Sequence, residues 1–574
     1  TLSGSTAVSG GNYDLTIVTG NNNTIQFQGN VGSTAKLDAI TITGNLDFDA
    51  TLTSATTLSV SGTSNLGANV TTSSTQTYTG AVTLSVDTTL TTTNSNVTFS
   101  STLNGDGTAR DLTIDTNGNT GTVLFDGLVG ASNDLDVIDI TGNLDLDAAI
   151  ANTTSLSVSG TSNLGANVTT SSTQTYTGAV TLSAATITLT TTNADVTFGD
   201  TVDSDSGQTR NLTIDTNGTT GTIQFGGMVG NTVGLGAITI TGNLDLDANI
   251  VDAASLSVSG TSNLGANVTT TGNQTYTGAV TLSSNVTLTT TSNGSVYFGS
   301  TVDGGYTLDI TANGTGDTTF VGAIGGTTAL GDITIDTNDL TAAAITAGNL
   351  NVTHSGTGSI TGIIANASEL DTLALIKAGA GTLTLSGVNT YTGNTTISNG
   401  DVVISGTAKL GGGSYSGNIA IASGSTLSYA SSANQTLSGV ISGDGDVEKV
   451  TSTTSTLTLS GTNTYTGGTS VSAGYLKSGS SSGASPPTSG PFGTATVTVA
   501  SGAVLDLNGT TVGNAINLSG TGISSNGAII NSSATAATIS GNITLAAHSS
   551  VGGSNAVTIS GVISGAYNLT KVGS

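Results

Sequence analysis

Apolar and polar residues alternate in short runs along most of this chain. In Leu156-Ser157-Val158-Ser159 and Ile238-Thr239-Ile240-Thr241 every second residue is apolar, the period of a strand that buries one face and wets the other. The runs stop at Gly, Asn, Asp and Ser, as at Asn117-Gly118, Asn217-Gly218 and Asn313-Gly314, residue types that tolerate the positive φ of tight turns. Helix signals are missing, since Glu occurs only at Glu369 and Glu448 and the abundant Thr and Val are poor helix formers. The pattern predicts short strands throughout.

Those strands recur in long units. LSVSGTSNLGANVTT begins at Leu58, Leu156 and Leu256, giving offsets of 98 and 100. ITGNLDLDA ends at Ala148 and Ala248, with TITGNLDFDA ending at Ala50, and LTIDTNG begins at Leu112 and Leu212 with weaker relatives at Leu15 and Leu308. Three units and a decayed fourth thus fill residues 1 to about 350. Strand-like starts near Leu15, Ile40, Leu58, Tyr78, Val97 and Leu112 divide a unit into five steps, so each coil is expected to hold 19 to 20 residues. Short strands at a fixed period make an all-β fold, a right-handed parallel β-helix or β-solenoid. Phe99, Phe198 and Phe298 recur in step, as do Phe27, Phe125, Phe225 and Phe320, which predicts two repeating aromatic core slots. About 29 coils at about 4.8 Å each would make a rod on the order of 140 Å long. A transmembrane barrel shares the alternation but needs aromatic girdles, and this chain is 4% aromatic with no Trp.

Composition narrows the function. The 574 residues carry 35 acidic and 8 basic side chains, a net charge of -27, too few cations to neutralise a row of nucleic-acid phosphates or to dock on anionic lipid. The absence of cysteine removes disulfides, thiolate metal sites and cysteine nucleophiles. No run reaches the 18 apolar residues of a membrane helix, and Thr1-Leu2-Ser3-Gly4 is not a signal sequence. A secretion signal is expected outside this chain, and both ends fall inside repeats, as expected of part of a longer protein. Residues 1–350 hold 28 acids and 3 bases, a net -25, whereas 351–574 hold 7 and 5, a net -2. The expected organisation is an acidic solenoid over 1–350, a transition at 351–376 and a second solenoid over 377–574. All three prolines lie near 478–492, which reads as an exposed loop.

In the second half, GTLTLSGVNTYTG from Gly381 to Gly393 returns as TLTLSGTNTYTGG from Thr456 to Gly468. LSGVISGDGDVEK ends at Lys449 and ISGVISGAYNLTKVG at Gly573. These segments resemble the passenger-associated transport repeat and lead-in of bacterial autotransporters. The resemblance implies an exported passenger at the bacterial surface, associated with the outer membrane, folded as a β-helix and often adhesive.

Paired aspartates are the candidate site residues. Asp145 and Asp147, with Asp245, Asp247, Asp47 and Asp49, alternate with Leu or Phe, so the carboxylates are expected to share one outer face about 7 Å apart. Asp200, Asp203 and Asp205 form a second cluster, matched by Asn104-Gly105-Asp106 one unit earlier. Spaced carboxylates in Gly-rich turns suit Ca²⁺. The competing and favoured reading is a solvated acidic face that keeps a Thr-rich rod soluble. Catalysis needs a singular site, whereas these aspartates recur, and His354 and His548 are isolated and read as surface or turn residues. Arg110 and Arg210, at equivalent positions, read as a structural lip or contact stripe.

No catalytic residue or cofactor is therefore assigned beyond a Ca²⁺ option. The sequence points to an extracellular, non-enzymatic stalk, fibre or adhesin, with self-association into fibres or a surface layer and a host, cell-surface or glycan ligand as partners. A polysaccharide-active β-helix enzyme is the alternative. Thr-x-Thr runs raise ice binding, but the motif changes from coil to coil, so strand chemistry explains it better.

Overall fold

A computed structural model describes residues 11–19, 23–118, 120–451 and 453–573. They form two compact units, Thr1–Ala279 and Val280–Ser574. Among the described residues the only helical segments are two single 3₁₀ turns, Gly411–Gly413 and Ile523–Ser525. Parallel strands stack as a β-solenoid, and the chain makes about 26 turns of about 21 residues.

The turn is longer than the expected 19 to 20 residues for an identifiable reason. Leu15, Ile40, Leu58, Gln76 and Val97 do stack one upon the next. Val97, however, continues to Val123, whereas Leu112 stacks on Thr88 in a neighbouring column. Counting Leu112 as the next step of the first column shortened the apparent coil.

In unit 1 each turn gives one strand to each of three columns. Leu164 and Leu182 are register partners, and between them the chain passes Val168, in a second column, and Tyr176, in a third. A 98-residue repeat is therefore not a whole number of turns, since 98/21 is about 4.7, close to four turns and two columns. Each copy of the repeat lands on a different face from the copy before. Tyr78 stacks on Val60 and Phe99 in the first column. Its copy Tyr176 sits between Val158 and Phe198 in the third, and Tyr276 follows Ile240 and Val258 in the second.

The same geometry merges the two expected aromatic slots. Phe99 and Phe125 are neighbours in one column, so Tyr78, Phe99 and Phe125 form a continuous stack with ring centroids 5.3 and 5.4 Å apart. Tyr176, Phe198 and Phe225 repeat it at 5.5 and 5.1 Å, and Phe298 and Phe320 at 4.7 Å in unit 2. All of these rings are buried, and stacked pairs contribute beyond the area they bury.

Corners need special residues. A Cβ on Gly178 would stand 2.5 Å from the Gly160 carbonyl oxygen, and one on Gly160 2.5 Å from that of Gly142, so only glycine lets successive turns approach there. Asn117 and Asn217 take φ of 48° and 47°, and Gly314 takes 70°, in line with the turn reading of those dipeptides.

In unit 2 one column runs through Ser414–Tyr415, Gln435–Leu437, Thr456–Leu459, Gly474–Ser478, Ala503–Asp506 and Ile529–Asn531. The proline segment leaves this column after Ser478. Gly483 to Pro486 are exposed, but the segment rejoins the core, with Phe492 fully buried and the Asn463 side-chain amide donating to the Pro491 carbonyl at 2.7 Å. At the carboxyl end Leu569–Lys571 pairs with Ile543–Gly553. The opening segment Thr1-Leu2-Ser3-Gly4-Ser5, read as ordinary repeat sequence, lies outside the described residues.

Candidate functional site

The aspartate pairs occupy three different faces of unit 1. Asp47 lies beside Gln26 and Asn65, Asp145 beside Leu124 and Asn163, and Asp245 beside Gln224 and Asn263, one triplet in each column. The acid face is thus distributed around the unit rather than continued along one side. Each inner carboxylate accepts from the asparagine one turn on, Asp145 from Asn163 at 2.7 Å and Asp245 from Asn263 at 2.8 Å. Asp247 accepts from Gln224 at 2.8 Å. Asp147 is held above the usual carboxylate range, chiefly by desolvation and then by Asp145 and Asp126 nearby.

The second cluster is divided among separate donors. Asp200 accepts from the Thr201 amide at 2.8 Å, and Asp203 from the amides of Thr232 at 2.8 Å and Val233 at 3.2 Å, one turn away. Asp205 pairs with Arg210, whose Nη2 donates at 2.9 Å, and Asp106 pairs with Arg110 in the same way at 2.9 Å. The guanidinium hydrogen bond holds both aspartates below their ordinary range. The arginines thus clasp the turn that contains them. Among the described residues no three His, Asp or Glu side chains gather as metal ligands. With Asp145, Asp245, Asp247, Asp200, Asp203 and Asp205 each accepting from a protein donor, adding a calcium chelator is expected to leave the melting temperature unchanged. A fall on chelation that Asp203→Asn abolishes would support the Ca²⁺ reading.

Three buried cationic or titratable side chains in unit 2 escaped the sequence reading. Lys377 is fully buried, and its Nζ donates to the carbonyls of Ala378, Gly379 and Asn399 at 2.8, 2.7 and 3.1 Å. Lys449 is equally buried; it donates to the Val450 carbonyl at 3.2 Å and stands 5.8 Å from the Tyr429 ring centre. Burial pushes both ammonium groups down to about 8. His354, expected at the surface, is 1% exposed. Burial, and then the Lys377 charge, lowers it to about 4. Its Nδ1 lies 3.3 Å from the Gly356 carbonyl, so it is a core residue. His548 is exposed and packs edge-on against Tyr567.

A groove of about 490 Å³ lies on the outer face of the unit 2 column described above, running from Gly413 to Ser532. Two outward ladders form its floor. One runs Thr436, Thr458, Lys477, Asp506, Ile530 and the other pairs Thr456 with Tyr475. Asp506 is 6% exposed and Lys477 30% exposed, with Nζ 3.6 Å from Oδ2. Asp506 also accepts from the Ser532 hydroxyl at 2.6 Å and the Asn508 and Ser532 amides at 3.0 Å. Lys477 donates to Ser532 at 3.2 Å. The repeat that starts at Thr456 supplies Thr456 and Thr458, but it does not mark a groove, because the lining residues come from six separate turns.

Residues 375–404 and 454–477 match the passenger-associated transport repeat family, and both segments include a buried lysine or the strand that follows one. The β-solenoid and the two matched segments together support a passenger of the autotransporter type with repeats. It is 30% identical over 281 residues to the adhesin BmaC autotransporter of Brucella suis biovar 1 (strain 1330), a match covering 48% of this chain and 7% of that protein. No solved structure matches it. Among the described residues no helix is long and apolar enough to cross a membrane.

Proposed function

We propose that the chain is the adhesive, non-enzymatic part of a cell-surface passenger, held outside the cell in association with the outer membrane. The observation that carries this reading is the incommensurate repeat: the same outward sequence is offered on three faces of one scaffold. A partner of any orientation then meets a copy of the same weak site, and linked weak sites bind by avidity. The similarity to an adhesin autotransporter points the same way. Self-association into fibres is a further part of the proposal, favoured in the near-neutral residues 351–574 and, for the acidic part, by salt that screens its charge.

Beads coated with the chain are expected to be retained on cell layers or glycan-coated surfaces and to be displaced by soluble chain. Retention no greater than that of beads carrying an unrelated acidic solenoid would overturn the adhesive reading. Cleavage of a glycan coat, abolished by one aspartate substitution, would replace it with the enzymatic one. Single rods at low and high salt in electron micrographs would remove fibre formation.

A further inference from the structure

We propose that the groove over Gln435–Leu437, Thr456–Leu459, Gly474–Ser478, Ala503–Asp506 and Ile529–Asn531 binds a neutral oligosaccharide laid across the strands. This inference rests on the adhesive reading and names the ligand class and the site.

Three observations select the class. First, the strand floor has no charge to spare: Lys477 is neutralised by Asp506 at 3.6 Å, the carboxylate is occupied by Ser532 and Asn508, and the one further cation, Lys409, stands only at the Gly413 end. An anionic polymer would meet a cation already paired, and a cationic one a carboxylate already satisfied. Second, the strands of the floor are paired on both sides, Thr456–Leu459 by Gln435–Leu437 and Gly474–Ser478, and the latter by Ala503–Asp506. A peptide therefore finds no free strand edge to extend. Third, what remains is a half-buried Tyr475 ring beside Thr456, with Thr458 next to Lys477 and Thr436 one rung beyond it. A flat apolar ring flanked by hydroxyl and ammonium donors suits a pyranose, which has a C–H face and a rim of hydroxyls.

The dimensions agree. The five strands are separated by four steps of about 4.8 Å, roughly 19 Å in all, and one step is close to the length of a sugar ring. An extended chain of a few sugars can thus offer equivalent hydroxyls to successive rungs. Gly413, with φ of 111° at the end of the Gly411–Gly413 turn, borders the groove beside the Lys409 side chain, which a Cβ there would meet at 3.2 Å.

The test is calorimetric titration of the full chain with neutral hexasaccharides of β-linked glucose, β-linked N-acetylglucosamine and α-linked mannose, with hexagalacturonate as the acidic contrast. At least one neutral probe is expected to bind and the acidic one not to. Tyr475→Ser is expected to weaken binding about tenfold or more. Thr456→Val and Thr458→Val, which keep the β-branched shape and remove only a hydroxyl, are expected to weaken it without lowering the melting temperature. Absence of binding by every neutral probe, binding unchanged in Tyr475→Ser, or preference for the acidic probe would each overturn the proposal. Bead retention by the wild-type chain separates the two readings. If wild-type beads adhere but no neutral probe binds, the groove assignment fails and the adhesive reading stands. If wild-type beads do not adhere, the adhesive reading fails whatever the titration gives.

Discussion

Tyr176→Ala is expected to destabilise unit 1 by about 3–5 kcal/mol, the range for deleting a buried aromatic ring from a core that cannot collapse around the gap. Tyr176 is fully buried and stacks on Phe198 at 5.5 Å. Its hydroxyl donates to Gln174 Oε1 at 3.1 Å. The Gln174 amide in turn donates to the carbonyls of Val168 and Thr190 at 3.3 and 2.9 Å and to the Thr170 hydroxyl at 3.3 Å. That knot ties two successive turns together at one corner, and Gln76 with Tyr78 repeats it on a different column. Removing the ring leaves a void and an unpaired amide oxygen. Tyr176→Phe removes the hydroxyl alone and is expected to cost about 1–3 kcal/mol, the penalty for a buried acceptor without its donor. Because each turn contacts only its neighbours, hydrogen exchange should speed up in the turns from Val158 to Phe198 first. Denaturant unfolding within 1 kcal/mol of the parent for Tyr176→Ala would show that the stack does not hold the corner.

The solenoid was legible in the sequence because a period of two and a recurring turn chemistry are local properties. Val158, Tyr176 and Phe198 each announce a strand from their own neighbours. The length of the turn is not local. Whether Leu112 stacks on Val97 or on Thr88 depends on where two corners fall, and the nearly verbatim repeat encouraged the assumption that one unit equals whole turns. A repeat of 98 residues on a turn of about 21 breaks that assumption, and with it the idea that Asp145 and Asp245 continue one face. The buried lysines left a signal that was available: Lys377 shares the inward parity of Leu375, and Lys449 that of Val447. A cation at an apolar position of a strand asks what pairs it. The groove left none, since Thr436, Tyr475 and Asp506 become neighbours only through register.

Raising the pH from about 8 to about 10 is expected to stabilise unit 2, the reverse of the usual alkaline trend. Unfolded lysine keeps its proton to about 10.4, whereas burial brings Lys377 and Lys449 down to about 8 in the fold. Below pH 8 both states are protonated, and the fold bears the full cost of two buried ammonium groups. Between the two values the unfolded chain binds more protons than the folded one, so stability rises with pH. Proton release so far below the usual value is on the order of 3 kcal/mol per lysine across the whole window. The gain ends near pH 10, because buried Tyr391, Tyr415 and Tyr465 hold their protons above the normal range and the unfolded state then loses protons first. His354 gives the opposite limb. Its folded value of about 4 against an ordinary 6.5 makes its contribution complete above pH 6.5 and lost as pH falls toward 4. The measurement is the denaturant midpoint of unit 2 from pH 7 to 10, followed by hydrogen exchange at the strands Leu375–Ala378 and Asp446–Lys449. The double variant Lys377→Met, Lys449→Met should lose the upward slope even though orphaned carbonyls make it less stable throughout. A midpoint that is flat or falling over this range in the parent chain would mean that the three carbonyls around Lys377 hold its charge as well as water does.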